Sequence, residues 1–235
     1  MVFRAAFLLA LLACAAVAVA VTVAAQGSEV RPQSGPTEFA CPALSAPERN
    51  DVLKGKIVLR ELDNPGRKGG TYEVVGILSA TLEEALSAIT DYRHYAEFMP
   101  RLEKVVVTDE SDSVSLVEQH LKLPLGITRR YRLRYTVLRG EAGFRIEWVK
   151  VAWPEVPLSQ SVVETSGHWQ VGRFADGQLL ALYHVYTDPG RVPFGMKGLA
   201  MSISKHDIPK IIEKVRQRLR LRAAPGPVKD GLSPA

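Results

Sequence analysis

From Leu102 to Asp188 apolar and polar residues alternate with a period of two. The segments read "LEKVVVTD", "SVSLVEQHLKL", "RRYRLRYTVL", "FRIEWVKV", "SGHWQVGRF" and "QLLALYHVYTD", with the turn-forming runs "DESDS", "RGEAG" and "FADG" among their connections. This pattern predicts a meander of antiparallel strands. In the third segment Tyr131, Leu133, Tyr135 and Val137 alternate with Arg130, Arg132, Arg134 and Thr136. One face of that strand is therefore apolar and the other charged and wet.

Ahead of the meander, "KIVLREL" and "TYEVVGILSA" are rich in β-branched residues and flank "DNPGRKGG", which predicts a first pair of strands. Thr81 and Glu84 then stand at capping-box spacing, and Leu82, Ala85, Leu86 and Ile89 form an apolar helical face. That helix continues or breaks near Asp91 into "YRHYAEFM", which Pro100 stops. After the meander comes "MKGLAMSISKHDIPKIIEKVRQRLRLR". Here Met196, Leu199, Ala200 and Ile203 share one helical face. After a break expected near Asp207 and Pro209, Ile208, Ile211, Ile212, Val215 and Leu219 resume the stripe.

The flanks differ in character. Residues 1–25 carry Arg4 and then "AAFLLALLACAAVAVAVTVAA", an apolar run ending in small residues before "QGSEV". Such a run is expected to be an export signal cleaved after Ala25. An uncleaved anchor is the alternative, because about 20 apolar residues can span a bilayer. Lipidation at Cys14, within "LLAC", is a third. Residues 26–50 and 223–235 are rich in Pro, Ser and Gly and are expected to be a flexible leader and a tail around a folded unit at 51–222.

Composition agrees with one sizeable core: 235 residues, 46% hydrophobic and 23% charged. The formal charge of +5 is mild, and loss of Arg4 would leave 29 basic against 25 acidic side chains. That suits transient contact with an anionic membrane and falls short of the basic stripe nucleic-acid binding needs. Without Cys14, Cys41 is the only thiol, so stability must come from packing and not from a disulfide.

Catalytic signatures are sparse. His94, His120, His168, His184 and His206 stand singly, without HExxH or Cys-x-x-Cys spacing. "DESDSVSLVEQH" starts like a calcium loop but has Val114 and His120 where Gly and Glu belong. "NPGRKGGT" lacks the Gly-Lys-Ser/Thr order of a phosphate loop, and no Gly-x-Ser-x-Gly elbow occurs. No cofactor and no metal are expected. The terminal run "KVRQRLRLR" suits acidic lipid headgroups and equally the dipole at a helix C-terminus.

Three stretches carry a family resemblance: "DYRHYAEFMPRLEKVVV" from Asp91 to Val107, "LPLGITRRYRLRY" from Leu123 to Tyr135, and "DPGRVPFG" followed by "HDIPKIIEKVRQRLR" between Asp188 and Arg220. Together they resemble the helix-grip fold of the START-related superfamily, which also holds polyketide cyclases, coenzyme-Q-binding proteins and the birch-pollen-allergen group. The nearest likeness is to START domains. The chain departs from their usual pattern at Arg130 and Tyr131, where Arg-Asp is common, and at Phe194, where Trp is common.

The resemblance implies an α+β fold, a curved antiparallel sheet wrapped around a long C-terminal helix with an apolar cavity between them. In it Asp188, Pro189 and Gly190 would turn the chain off the last strand, and Pro193 would set the start of the helix. The pliable or small Met196, Gly198, Ala200 and Met201 would leave space beneath that helix.

The function expected is an exported protein, periplasmic or extracellular, that binds or carries a lipid or other hydrophobic small molecule as a monomer. Its expected lining is Tyr131, Leu133, Tyr135, Phe144, Ile146, Trp148 and Trp169 from the sheet and Met196, Leu199, Ala200 and Ile203 from the helix. Arg130 and His184 are the expected polar anchors. Two alternatives use the same space. One is a cyclase or dehydratase with its acid or base among Glu118, His120, His184 and Glu164. The other is a module holding a partner's apolar segment.

Overall fold

The computed structural model describes Phe39 and residues 41–123, 126–190 and 197–223. The expected signal, its Ala25 cleavage site, Cys14 and the tail beyond Ala223 lie outside the described residues.

A capping box starts the first helix, α1 (Ala46–Leu53): Ser45 accepts from the Glu48 amide, and the Glu48 carboxylate accepts from the Ser45 amide. Pro47 sits in the first turn, where its missing N–H costs nothing. Next come β1 (Val58–Leu62), β2 (Gly70–Leu78) and α2 (Leu82–Ile89), the last closed by the predicted Thr81–Glu84 box. A 3₁₀ turn (Tyr92–His94) and α3 (Tyr95–Phe98) precede Pro100. Six strands follow: β3 (Leu102–Glu110), β4 (Val114–Lys122), β5 (Thr128–Arg139), β6 (Gly143–Val151), β7 (Glu164–Arg173) and β8 (Leu179–Asp188). The last described element is α4 (Lys197–Ala223).

All eight strands form one antiparallel sheet in the order β1-β2-β8-β7-β6-β5-β4-β3. The meander is thus continuous from β3 to β8, and the first hairpin adds to its far side through β2 and β8.

Side chains on one face of the sheet, which we call the inner face, pack with α2, α3 and the second half of α4 into one apolar cluster. Ile208, Ile212, Val215 and Leu219 are buried there at the predicted helical spacing. Gly76 lets α4 approach, since a Cβ at that position would stand 3.0 Å from the Ile212 side chain. Arg216 locks the contact by donating to the Ile77 carbonyl at 2.8 Å and the Gly55 carbonyl at 3.0 Å. Arg218 and Arg222 both donate to Asp91. Three arginines of the terminal basic run are therefore engaged within the fold.

Two expectations need correction. Residues 41–50 belong to the folded unit and not to a flexible leader, because α1 covers the outer face of the sheet. There Val52 packs with Val75, Ile77, Leu180 and Leu182, and Phe39 is buried as well. Burying each such side chain contributes about 1.5–3 kcal/mol. The capping box at Ser45 was the available signal. The break near Asp207 is also absent: α4 is continuous through Pro209. Proline removes one helical hydrogen bond, but the buried stripe below it and the contacts of Asp207 with Arg101 and Lys210 hold the helix on both sides.

Candidate functional site

The candidate site is built from strand alternation. On β5, Tyr131, Leu133 and Tyr135 are buried at 9%, 3% and 6% exposure, while Arg130, Arg132 and Arg134 face the other way. β6 contributes Phe144, Ile146 and Trp148, and β7 contributes Trp169. All seven sheet residues expected as lining thus lie on the inner face within one cluster.

Their rings form a connected series. Tyr92 lies 4.4 Å from Tyr135, centroid to centroid, Tyr135 lies 5.9 Å from Trp148, Trp148 lies 5.1 Å from Tyr183, and Tyr183 lies 4.9 Å from Trp169. Trp148 and Tyr183 belong to strands separated by β7, and they meet because β7 carries Gly167 between them. A Cβ on Gly167 would stand 2.4 Å from the indole of Trp148.

Neutral polar groups interrupt this wall. Gln119 is buried on β4, where Val117 and Gln119 face inward and Glu118 and His120 outward, and its amide donates to the Tyr135 hydroxyl at 3.0 Å. The Tyr95 hydroxyl donates to the Ile89 carbonyl. Tyr72, on β2, buries its hydroxyl without a hydrogen-bond partner among the described residues. Burial pushes the phenols of Tyr131, Tyr135 and Tyr183 upward, and for Tyr183 the neighbouring Tyr131 phenol adds to the effect. These groups are hydroxyl donors and not phenolates at neutral pH.

The two expected polar anchors lie elsewhere. Arg130 is on the outer face and donates to the Gln160 side chain. His184 also faces outward: its Nδ1 lies 3.1 Å from Glu73 Oε1, and its ring stacks on His168 at 4.9 Å. Glu73 in turn accepts from Arg60 at 3.0 Å. The cause is the period of two, which turns every residue next to an inward-facing one to the opposite side.

The acid or base candidates of the cyclase alternative share that fate. Glu118 accepts from Arg132 at 2.6 Å on the outer face, His120 stands beside Trp153, and Glu164 pairs with Arg67 at 2.8 Å near the start of β7. His120 is held below the usual imidazole range by burial, with Lys104 and Arg130 adding to it.

Met196 lies outside the described residues, as do the side chains of Leu199, Ala200 and Ile203, whose backbone belongs to α4. An open cleft of about 600 Å³ lies at the other end of the sheet from Asp188, between Thr81, Glu141, Arg173 and Asp176.

Sequence reasoning missed Tyr72, Gln119 and Tyr183. In "QLLALYHVYTD" both faces of β8 are buried, inward in the main cluster and outward beneath α1, so the alternation that exposes an inner face elsewhere is erased. Gln119 was legible from its phase with Val117.

No family model matches the chain, and no curated protein matches it in sequence. Solved structures do match in shape. A STAR-related lipid transfer protein fragment from Xanthomonas axonopodis is 17% identical, with 70% of this chain and 93% of that one covered and a TM-score of 0.59. The human StAR-related lipid transfer protein 5 is 13% identical over 72% of this chain and 84% of its own, with a TM-score of 0.60. The Zhui aromatase/cyclase from Streptomyces is 14% identical over 74% of this chain and 100% of its own, with a TM-score of 0.54. The fold is therefore the START-like helix-grip fold, α+β with a curved antiparallel sheet and a C-terminal helix.

Proposed function

We propose that this protein binds a lipid or other hydrophobic small molecule between the inner face of the sheet and α4, and carries it outside the cytoplasm after export. The observation that supports this most is the aromatic series Tyr135, Trp148, Tyr183 and Trp169 on the inner face of a fold shared with lipid transfer proteins.

The lining we assign to it is Tyr131, Leu133, Tyr135, Phe144, Ile146, Trp148 and Trp169 from the sheet; Met196, Leu199, Ala200 and Ile203, the residues expected from the sequence to share it, lie with their side chains outside the described residues. Each 100 Å² of apolar ligand surface removed from water there contributes about 2.5 kcal/mol, from which the cost of association is subtracted. Export rests on the apolar run of residues 1–25, and the mildly basic surface suits transient contact with an anionic membrane.

The test is uptake by the purified protein of fluorescent fatty-acyl and sterol probes from donor vesicles. Saturable uptake at one probe per chain, competed by unlabelled lipid, is the expected result. Absence of saturable uptake for both probe classes contradicts the proposal.

A further inference from the structure

Strand alternation sorts the charges of the sheet by face. Every carboxylate of β4 to β8 stands on the outer face and is engaged there: Glu118 accepts from Arg132, Glu147 from Arg145, Glu164 from Arg67 and Asp188 from the Gly190 amide. The inner face of the same strands carries cations only. Arg129, Arg139, Lys150 and Arg173 stand directly opposite Leu121, Phe144, Leu133 and Leu179, all members of the inner cluster or packed against it, and directly opposite residues share a face. Arg139 pairs with Glu83 and Arg173 lines the cleft, both at the end of the sheet away from Asp188. Arg129 and Lys150 lie at the other end, where β8 leads toward α4. Arg129 is engaged by other groups. Lys150 makes no hydrogen bond or ion pair with any described residue, and residues 191–204, which lead into and begin α4, contain no Asp or Glu to supply a counter-charge.

The inner positions of β6 run Phe144, Ile146, Trp148 and Lys150, three buried apolar side chains followed by a half-buried cation. From Phe144 to Lys150 the strand covers about 20 Å, enough for the ~15 Å of hydrocarbon that one bilayer leaflet contributes to a ~30 Å core. Resting on the hydrophobe-binding reading, we propose that the ligand is an anionic amphiphile, its carboxylate or phosphate paired with Lys150 and its hydrocarbon laid along the inner face toward Trp148, Ile146 and Phe144. An ammonium on a flexible stem is a point charge with rotatable donors, which suits either oxygen anion. The nearest hydroxyls toward β8 are spent within the sheet, since Thr165 donates to the Tyr186 carbonyl at 3.0 Å and shares a 2.9 Å contact with the Thr187 hydroxyl. A quaternary ammonium headgroup would meet like charge at this end, and an alcohol would leave the cation of Lys150 without a counter-charge.

The experiment measures affinities of the full-length protein for octadecanoate, octadecyl phosphate, octadecanol and octadecyltrimethylammonium, presented from cyclodextrin at about pH 8, where both acids are ionised. At least one anion is expected to bind about tenfold more tightly than the alcohol, and the tighter of the two identifies the headgroup as carboxylate or phosphate. Lys150→Met, which keeps the length of the side chain, is expected to lower anion affinity about 5- to 10-fold and leave octadecanol unchanged, and Lys150→Arg to retain the preference. Lys150→Glu is expected to shift the preference to the ammonium probe. Arg134→Met, at an exposed position on the outer face, removes the same charge and is expected to leave all four affinities unchanged. Octadecanol bound as tightly as both anions, or an anion preference that Lys150→Met and Lys150→Glu do not move, overturns this inference and leaves the hydrophobe-binding reading standing. Absence of binding for all four probes overturns both.

Discussion

Trp148 on β6 stacks on Tyr183 of β8 at 5.1 Å, across the full width of β7. A side chain on the intervening strand would separate the two rings, and the residue there is Gly167. A Cβ there would also stand 2.2 Å from the His184 carbonyl oxygen, so Gly167→Ala is expected to displace the indole and strain the β7–β8 backbone, destabilising the fold by about 3 kcal/mol, the upper end of the usual cost of overpacking. Urea unfolding followed by tryptophan emission checks both effects, and an unchanged midpoint and spectrum would contradict the packing described.

The second half of α4 is the clamp that holds the helix on the sheet. Ile212 is fully buried over Gly76, so Ile212→Ala is expected to cost about 2–5 kcal/mol through lost burial and the cavity left behind. Thermal unfolding measures this, with a substitution at exposed Glu213 as the control that leaves stability nearly unchanged.

Acid sensitivity follows from the outer face. His168 is lowered from the ordinary imidazole value of 6.5 to about 4, first by burial and then by Arg145 and His184. In the unfolded chain the same group takes up its proton near pH 6.5. Between these values the unfolded state binds more protons, so stability is full above pH 6.5 and is lost progressively as pH falls to about 4. The expected loss is on the order of 2–3 kcal/mol. His168→Gln should flatten this part of the stability profile, and a slope unchanged in the variant would assign the acid sensitivity to other groups.

The strap formed by α1 gives a fourth expectation. Ser45→Ala removes the cap and should cost about 1 kcal/mol. Starting the chain at Asp51 should cost more, because it removes Phe39 and most of α1 from the sheet's outer face. Equal chemical-denaturation midpoints for the full-length and shortened chains would place the folded boundary back at Asp51.

Much of this fold was legible because alternation and capping are local. The strands from "LEKVVVTD" to "QLLALYHVYTD", the Thr81 box and the stripe Ile208, Ile212, Val215 and Leu219 need only neighbours in sequence to be recognised. The inward placement of Tyr131, Leu133, Tyr135, Phe144, Ile146, Trp148 and Trp169 followed from the same phase. What failed depended on a second layer. Arg130 and His184 were chosen for their chemistry against the phase of their strands, and the structure turns both outward. Tyr183 was hidden because α1 buries the face that would otherwise have shown the alternation of β8. α1 itself was hidden because its sequence, "APERNDVL", has no apolar stripe and buries a single residue, Val52.

The central claim, that the inner face holds a hydrophobic ligand, is tested most directly by native mass spectrometry with organic extraction of the protein released gently from its own host's envelope. The account predicts one copurifying lipid or other hydrophobic molecule at near-equal stoichiometry. A protein that is empty as isolated and takes up nothing from a total lipid extract of the host would contradict it.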